Sequence, residues 1–517
     1  MDWFLNTEER GNPHSSIPTW CTGNTAEPLI HGITYFDRLV SEVESLREGD
    51  YLFFTDWRGD PDERMRENGP TVAELFASAA KRGVAVKGLL WRSHLDKFAY
   101  SEEENRNLGD EIRAAGGEVL LDQRVRRGGS HHQKLVVLRH PGRPELDIAF
   151  AGGIDLCHSR RDTAEHHGDP QAVQMSSAYG KNPPWHDVQL ALQGPVVGAL
   201  DLCFRERWTD RVPLDQHGPI STAIDYLKHA DQHADKLPPQ PPDPPECGPL
   251  NVQVLRTYPA MRPPYGFAPQ GERTVARGYT KAIRNARHLI YLEDQYLWST
   301  EVAELFAQAL KDNPGLHLIA VVPRHPDVDG RFALPPNEIG REEAIELCRR
   351  TAPDRVHIFD LENHEGTPVY VHAKVCVIDD VWCSVGSDNF NRRSWTHDSE
   401  LSCAILDETS DERAPTGWGA RRFPRDLRLA LTREHLDRDD DEGLIDPLDV
   451  VRAMTTTADR LQAWKDGGRT GPRPPGRIFE HRTGTMPWYQ RMWALPAYRL
   501  AYDPDGRPWR ARRKGTW

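Results

Sequence analysis

A chain of 517 residues with a formal net charge of −13 is too long for a single core and too acidic to be built mainly for coating nucleic acid. It contains no apolar run of the ~18 residues that span a bilayer, and its eight cysteines form no C-x-x-C pair, which fits free thiols better than a disulfide or zinc framework. The N-terminus, MDWFLNTEERGNP, has neither a basic nor an apolar signal region, so a cytoplasmic location is expected.

In chain order, YLFFTDW (Tyr51–Trp57) reads as a strand ending in an acidic residue, and VAELFA (Val72–Ala77) has the apolar spacing of a helix. VAVKGLLWRSH (Val84–His94) and HHQKLVVL (His131–Leu138) follow as strands, then a glycine turn, AGGIDL (Ala151–Leu156), and a strand in WHDVQLAL. LPPQPPDPPECGP (Leu237–Pro249) holds seven prolines, cannot continue a helix or a central strand, and reads as a semi-rigid spacer.

Beyond the spacer the same order returns. YLEDQYL (Tyr291–Leu297), a second VAELFA (Val302–Ala307), LHLIAVVPRHP (Leu316–Pro326), VHAKVCVI (Val371–Ile378) and VGSDNF (Val385–Phe390) echo the first half. Tyr51 and Tyr291 are 240 residues apart, and so are His132 and His372. An identical hexapeptide inside a conserved order of elements marks an internal duplication. Strands alternating with helices predict α/β layers. The expected units are a first domain over 26–236, a linker over 237–249 and a second domain over 250–437. Extensions over 1–25 and 438–517 flank them.

Each half carries His-x-Lys on a strand. Residues i and i+2 share a face, so His132 points with Lys134 and His372 with Lys374. A pseudo-twofold axis between duplicated domains would gather both pairs into one cleft. Two imidazoles then supply a nucleophile and a general acid, and two ammonium groups hold the oxygens of a phosphate. Lysine is not a metal ligand and the linear sequence has no zinc-spaced cluster, so no metal and no cofactor are expected there.

The stretch VHAKVCVIDDVWCSVGSDNFNRRSWTHDSEL (Val371–Leu401) resembles the H-x-K-x-x-x-x-D signature of the phospholipase D superfamily, with His372, Lys374 and Asp379 in place. Asn389 matches the asparagine of that family's G-S-x-N turn. HHQKLVVLRH, AFAGGIDLCHSRRDT and PPWHDVQLALQGPVV in the first half resemble the longer, eukaryotic-type versions. Two departures stand out. Arg139 occupies the position of the first motif's aspartate, before an insertion (His140–Asp147) in which Asp147 is a candidate replacement. Asp155 stands where some relatives carry asparagine.

The resemblance implies two α/β/α sandwich domains with mixed sheets, related by a pseudo-twofold axis, with the active site at their interface. It implies a phosphodiesterase that removes the head group of glycerophospholipids, by hydrolysis or transphosphatidylation, through a phosphohistidine. A cardiolipin-synthase-like transferase and an inactive phospholipid-binding relative are the alternatives. His132 is the expected nucleophile and His372 the expected acid, oriented by Asp187 and Glu400, while Lys134, Lys374 and Asn389 bind phosphate oxygens. Asp56, Asp155, Glu293 and Gln295 are expected against the substrate. The implied partners are a phospholipid or other phosphodiester and, peripherally, a membrane surface; a monomer is expected and a nucleic acid is not.

From Gly467 onward eleven Lys and Arg stand against three acids, interleaved with Trp488, Tyr489, Trp493, Tyr498, Trp509 and Trp517. Such a segment either adsorbs to an anionic membrane or packs back onto an acidic body. The overall charge of −13 favours the second.

Overall fold

The computed structural model describes residues 2–92, 102–214, 234–329, 334–413, 419–484 and 486–517. The strands of the first half are β1 (Cys21–Ile30), β2 (Tyr51–Asp56), β3 (Ala85–Trp91), β4 (Glu118–Asp122), β5 (Leu135–Arg139), β6 (Ile148–Gly152), the short β7 (Trp185–His186) and β8 (Val188–Gln193). The end of the predicted strand Val84–His94, at Ser93 and His94, lies outside the described residues. Seven of these strands form a mixed sheet in the order β4–β3–β2–β5–β6–β8–β1, parallel across β4, β3 and β2 and antiparallel elsewhere.

The second half has β9 (Leu250–Tyr258), β10 (Glu272–Arg273), β11 (Leu289–Asp294), β12 (His317–Val321), β13 (Val356–Glu362), β14 (Pro368–Val371), β15 (Lys374–Ile378), β16 (Trp382–Gly386) and β17 (Glu400–Asp407). Its main sheet runs β13–β12–β11–β15–β16–β17–β9, again parallel across the first three strands. Strand for strand the two sheets are the same. They join where β1 pairs antiparallel with β9 through Cys21–Val252 and Asn24–Leu250, with a bulge between.

Alternation along each strand divides the core. On β2, Phe53 faces a central core shared by both halves, together with Val137, Val254 and Val375. Leu52 and Phe54 face the helices of the first half, with Phe76 and Ile112. Ile290 and Leu292 face the corresponding helices of the second half, with Phe306 and Ile345. The repeated VAELFA opens the helix Val72–Lys81, where Thr71 and Glu74 form a capping box, and falls two residues inside the helix Thr300–Asp312, which Ser299 caps. Val72 and Phe76, like Val302 and Phe306, are buried.

The strand register corrects one sequence alignment. Thr55 pairs with Leu135 and Glu293 pairs with Val375, and both partners immediately follow a His-x-Lys lysine. Asp56 is therefore the counterpart of Asp294, and the match of Tyr51 with Tyr291 is two residues out of register. A slip of two preserves the facing of every side chain, so the apolar pattern gave no warning.

The two motif ends also differ. Asp379, in a left-handed backbone conformation, accepts the amides of Arg287, His288 and Leu289 at 2.8–2.9 Å and ties β15 to the start of β11. Asp147 does not take this part in the first half. It pairs with Arg139 at 2.7 Å and accepts the amide of His140. Arg139 reaches onward to Asp201 at 2.8 Å and to the carbonyls of Pro241 and Pro242 in the proline-rich linker. The substitution turns a motif terminus into an anchor for that linker.

Both ends of the chain pack on the second half. The amide of Leu5 donates to Gln253. From the basic C-terminal stretch, β18 (Ile478–Glu480) pairs antiparallel with β13, and Arg491 and Arg507 form ion pairs with Glu343 and Glu301. Among the described residues no helix is long and apolar enough to cross a membrane.

Candidate active site

The two halves exchange short parallel pairings at their junction. His131 bridges Ser399, and the His132 amide donates to the Ser399 carbonyl at 2.9 Å. By the same geometry β14 lies parallel to β7, pairing Val371 with His186, and the His372 amide donates to the His186 carbonyl at 2.8 Å. Each His-x-Lys segment is thus laid against the residue that precedes an acid of the opposite half.

The acids are consequently exchanged. His132 Nδ1 lies 2.9 Å from Glu400 Oε2, and His372 Nδ1 lies 2.6 Å from Asp187 Oδ2. Both carboxylates are buried. A carboxylate on Nδ1 fixes the ring and leaves Nε2 as the reactive nitrogen. Ser387 Oγ donates to Glu400 Oε2 at 2.5 Å. The first half has Gly153 at that place, and a Cβ there would meet Asp187 Oδ1 at 2.1 Å, so glycine is what lets Asp187 approach.

The lysines sit behind the histidines. Lys134 Nζ is 3.1 Å from Asp155 and 3.2 Å from the His132 carbonyl oxygen. Lys374 Nζ is 2.9 Å from His372 Nδ1 and donates to the His372 carbonyl. Burial pushes the Lys374 ammonium down to about 8. Burial, with the positive charge of Lys374, also holds His372 well below its usual range.

Asp155 and Asn389 occupy equivalent turns, and each turn is pinned by an acid. Asp56 accepts the Leu156 amide at 2.9 Å and Asp294 accepts the Phe390 amide at 3.0 Å. Burial raises Asp56 well above the carboxylate range, with the charge of Asp155 adding to it, and burial raises Asp294 to about 6. Burial opposes ionisation of Asp155 too, yet Lys134 and Arg160 outweigh it and hold its carboxyl low. Arg160 contacts Asp155 at 3.3 Å and stacks 3.9 Å from the Trp185 ring, which also lies 4.9 Å from His372 between centroids.

Sequence reasoning missed Asp294 and Arg160. The first was hidden by the two-residue register error. The second stood in the quoted AFAGGIDLCHSRRDT, where a basic residue after an acidic turn was the available signal.

A cavity of about 750 Å³ opens over this constellation. His132, Asn389 and Glu400 line it, together with Trp57, Trp91 and Trp298. Trp57 and Trp91 stack at 5.6 Å. The Asn389 side-chain oxygen has no hydrogen-bond partner among the described residues. His372 lies deeper, against Trp185.

Two expected substrate contacts need correction. Glu293 faces away from the cavity and is fully buried, accepting from Tyr291 and held at 2.6 and 2.8 Å by His186 and His435. Gln295 is buried as well and donates to the Tyr370 hydroxyl at 2.8 Å. Strand-end polar residues were read as cleft-facing, but His186 and His435 cover Glu293 and Tyr370 holds Gln295.

A family model described as "Phospholipase D" matches residues 61–321, and one described as "Cardiolipin synthase, PLD-like domain" matches 279–414. The chain is 25% identical to phospholipase D alpha 1 of Cynara cardunculus, covering 84% of this chain and 68% of that one. It is 26% identical to phospholipase D A of Dictyostelium discoideum, covering 78% of this chain and 35% of that protein. Against phospholipase D alpha 2 of Arabidopsis thaliana the identity is 24%, covering 92% and 72%. The crystal structure of a phosphatidylserine synthase from Haemophilus influenzae Rd KW20 superposes with a TM-score of 0.55 at 12% identity, covering 89% of this chain and 98% of that one.

Proposed function

Because the chain belongs to the phospholipase D superfamily, we propose that it is a phospholipase D-type phosphodiesterase that cleaves the head group of glycerophospholipids through a phosphohistidine. The observation that carries this reading is the exchange of acids: two imidazoles, each fixed through Nδ1 by a buried carboxylate of the other half. An inactive lipid-binding relative would have no need of it.

In the proposed reaction His132 Nε2 attacks phosphorus, since His132 is the imidazole that lines the open cavity. The P–O bond to the head-group alcohol breaks, and His372 delivers the proton to the departing oxygen. His372 then takes a proton from water or an acceptor alcohol, which attacks the phosphohistidine and releases His132. Lys134, Lys374 and Asn389 bind the non-bridging oxygens. Burial and the charge of Lys374 disfavour a proton on His372 in the ligand-free site. The negative phosphodiester supplies the opposite field and draws the proton onto it.

The test separates the histidines. A p-nitrophenyl phosphodiester needs no proton on its leaving group, so His372→Ala should still form the phosphoenzyme while turning over poorly. His132→Ala should form none. Acid-labile, base-stable label accumulating on His132→Ala would reverse the roles. Absence of trapped label from His372→Ala and wild type alike, with turnover intact, would sink the covalent mechanism.

The match to the cardiolipin synthase description over 279–414 favours a second reading, a phosphatidyltransferase acting on a lipid alcohol. Product analysis on mixed phospholipids with and without added alcohol decides between them. Phosphatidic acid as the main product supports hydrolysis, and a phosphatidylated acceptor supports transfer.

A further inference from the structure

Immediately behind Asp187 lies a cluster that the phosphodiester chemistry does not use. His31 Nε2, His166 Nε2 and His186 Nδ1 converge on the Glu434 carboxylate at 2.8, 3.2 and 3.4 Å. The four ligand atoms all lie within 4.8 Å of one another. In a tetrahedral site with ligands at ~2.0–2.1 Å from the ion, neighbouring ligand atoms are about 3.3 Å apart. The three rings stand nearly edge to face, with centroids 5.0, 5.3 and 5.7 Å apart, as rings arranged around one central point must.

The far nitrogens determine what the near ones offer. His166 Nδ1 lies 3.2 Å from the Trp185 carbonyl, which can only accept, so Nδ1 carries the hydrogen and Nε2 presents a lone pair. Glu293 accepts from Tyr291 and from His435, and is therefore an ionised acceptor for His186 Nε2 at 2.6 Å. In the neutral ring that leaves a lone pair on His186 Nδ1. With both rings neutral, Glu434 faces two nitrogen lone pairs, and a cation between them relieves that opposition. Protonating both rings would place two imidazolium ions 5.7 Å apart among fully buried residues, and protonating His186 alone still leaves the His166 lone pair against Glu434. A single cation satisfies all four groups. The contacts of Glu293 and the Trp185 carbonyl are the outer partners that orient histidine ligands.

We propose that His31, His166, His186 and Glu434 form a structural site for a first-row divalent cation, with zinc the best match to four-coordinate N₃O ligation. The four residues come from the turn before the helix Gly32–Ser45, the loop after β6, β7 and the helix Arg422–Leu436. The ion would therefore clamp first-half segments to second-half helix one residue from Asp187, the acid that orients His372. Glu434 is partly exposed and lines an outer cavity of about 850 Å³, which provides the entry path.

The full chain, purified without a metal-affinity tag and dialysed after exposure to zinc, should retain about one zinc per chain by elemental analysis. Its cobalt(II) form should show the intense visible absorption of four-coordinate cobalt. His31→Gln and His166→Gln should lose the bound metal. His364→Gln, an exposed residue lining the outer cavity, should keep it. Should the His variants fail to fold, chelator-stripped wild type titrated with zinc replaces them, and one-site binding with a raised thermal midpoint is expected. Zinc-free protein after dialysis, a six-coordinate cobalt spectrum, metal retained by His166→Gln, or no binding by the stripped chain would each overturn the proposal.

Discussion

At the residue scale the candidate site is governed by which charges burial tolerates. Glu400 and Asp187 are each one carboxylate against one imidazole, so Glu400→Gln and Asp187→Asn preserve shape while removing the charge that fixes the ring. Each should lower turnover by ~10²–10⁴-fold without unfolding the chain, as steady-state kinetics and circular dichroism would register. Lys374 sets a pH limit. Its buried ammonium titrates near 8, so the charge is complete below that pH and lost above it. kcat/KM should therefore fall as pH rises through about 8. Lys374→Arg, which stays charged, should move that alkaline limb upward even if the rate is lower at neutral pH. An alkaline limb unchanged in the Arg variant would remove Lys374 as its source.

At the scale of elements, the junction between halves rests on short paired segments and on the linker. Arg139 is fully buried between Asp147, Asp201 and two proline carbonyls. Replacing it with Met leaves two buried carboxylates short of their partner, a loss of about 3–5 kcal/mol. Arg139→Met should lower the thermal midpoint clearly, and Arg139→Lys should rescue little because lysine lacks the fork that spans both acids. Turnover of a soluble phosphodiester by the folded fraction should be unaffected, since Arg139 touches the linker and not the cavity. A midpoint equal to wild type would show that the linker is held by other contacts.

At the scale of the whole molecule, the C-terminal stretch does two things. Tyr498 and Trp517 pack onto the body against Trp298 and Trp395, while Trp488, Tyr489, Met492, Leu500 and Trp509 remain exposed. Leu500 lines the cavity over the candidate site, and Trp509 lines an adjoining cavity of about 1070 Å³ with Arg126, Arg127 and Arg262. Exposed aromatics, one of them beside arginines on a cavity wall, suit an anionic lipid surface. Trp488→Ala combined with Trp509→Ala should cut activity on anionic vesicles by about tenfold or more, each buried ring being worth ~1.5–3 kcal/mol. Activity on a short-chain soluble phosphodiester should stay at the wild-type level. Equal losses on both substrates would assign the two rings to folding rather than to docking.

The duplication, the His-x-Lys pairs and the order of strands were legible in the sequence because they depend on local spacing: period two on a strand, helical spacing in VAELFA, prolines in the linker. Asp187 and Glu400 came instead from the resemblance to the family's motifs. What the linear order could not carry was partnership across the pseudo-twofold axis. That Glu400 serves His132 while Asp187 serves His372 follows from two parallel bridges between residues more than 180 apart in the chain, and no local spacing encodes them. Glu293 was misread for a related reason: strand alternation gives the face of a side chain but not what covers that face, and here two histidines from distant segments do. The His31–His166–His186–Glu434 cluster draws one ligand from each of four separate segments. Ligand spacing along a chain reveals a metal site only when the ligands are close in sequence, so this one exists solely in the tertiary structure.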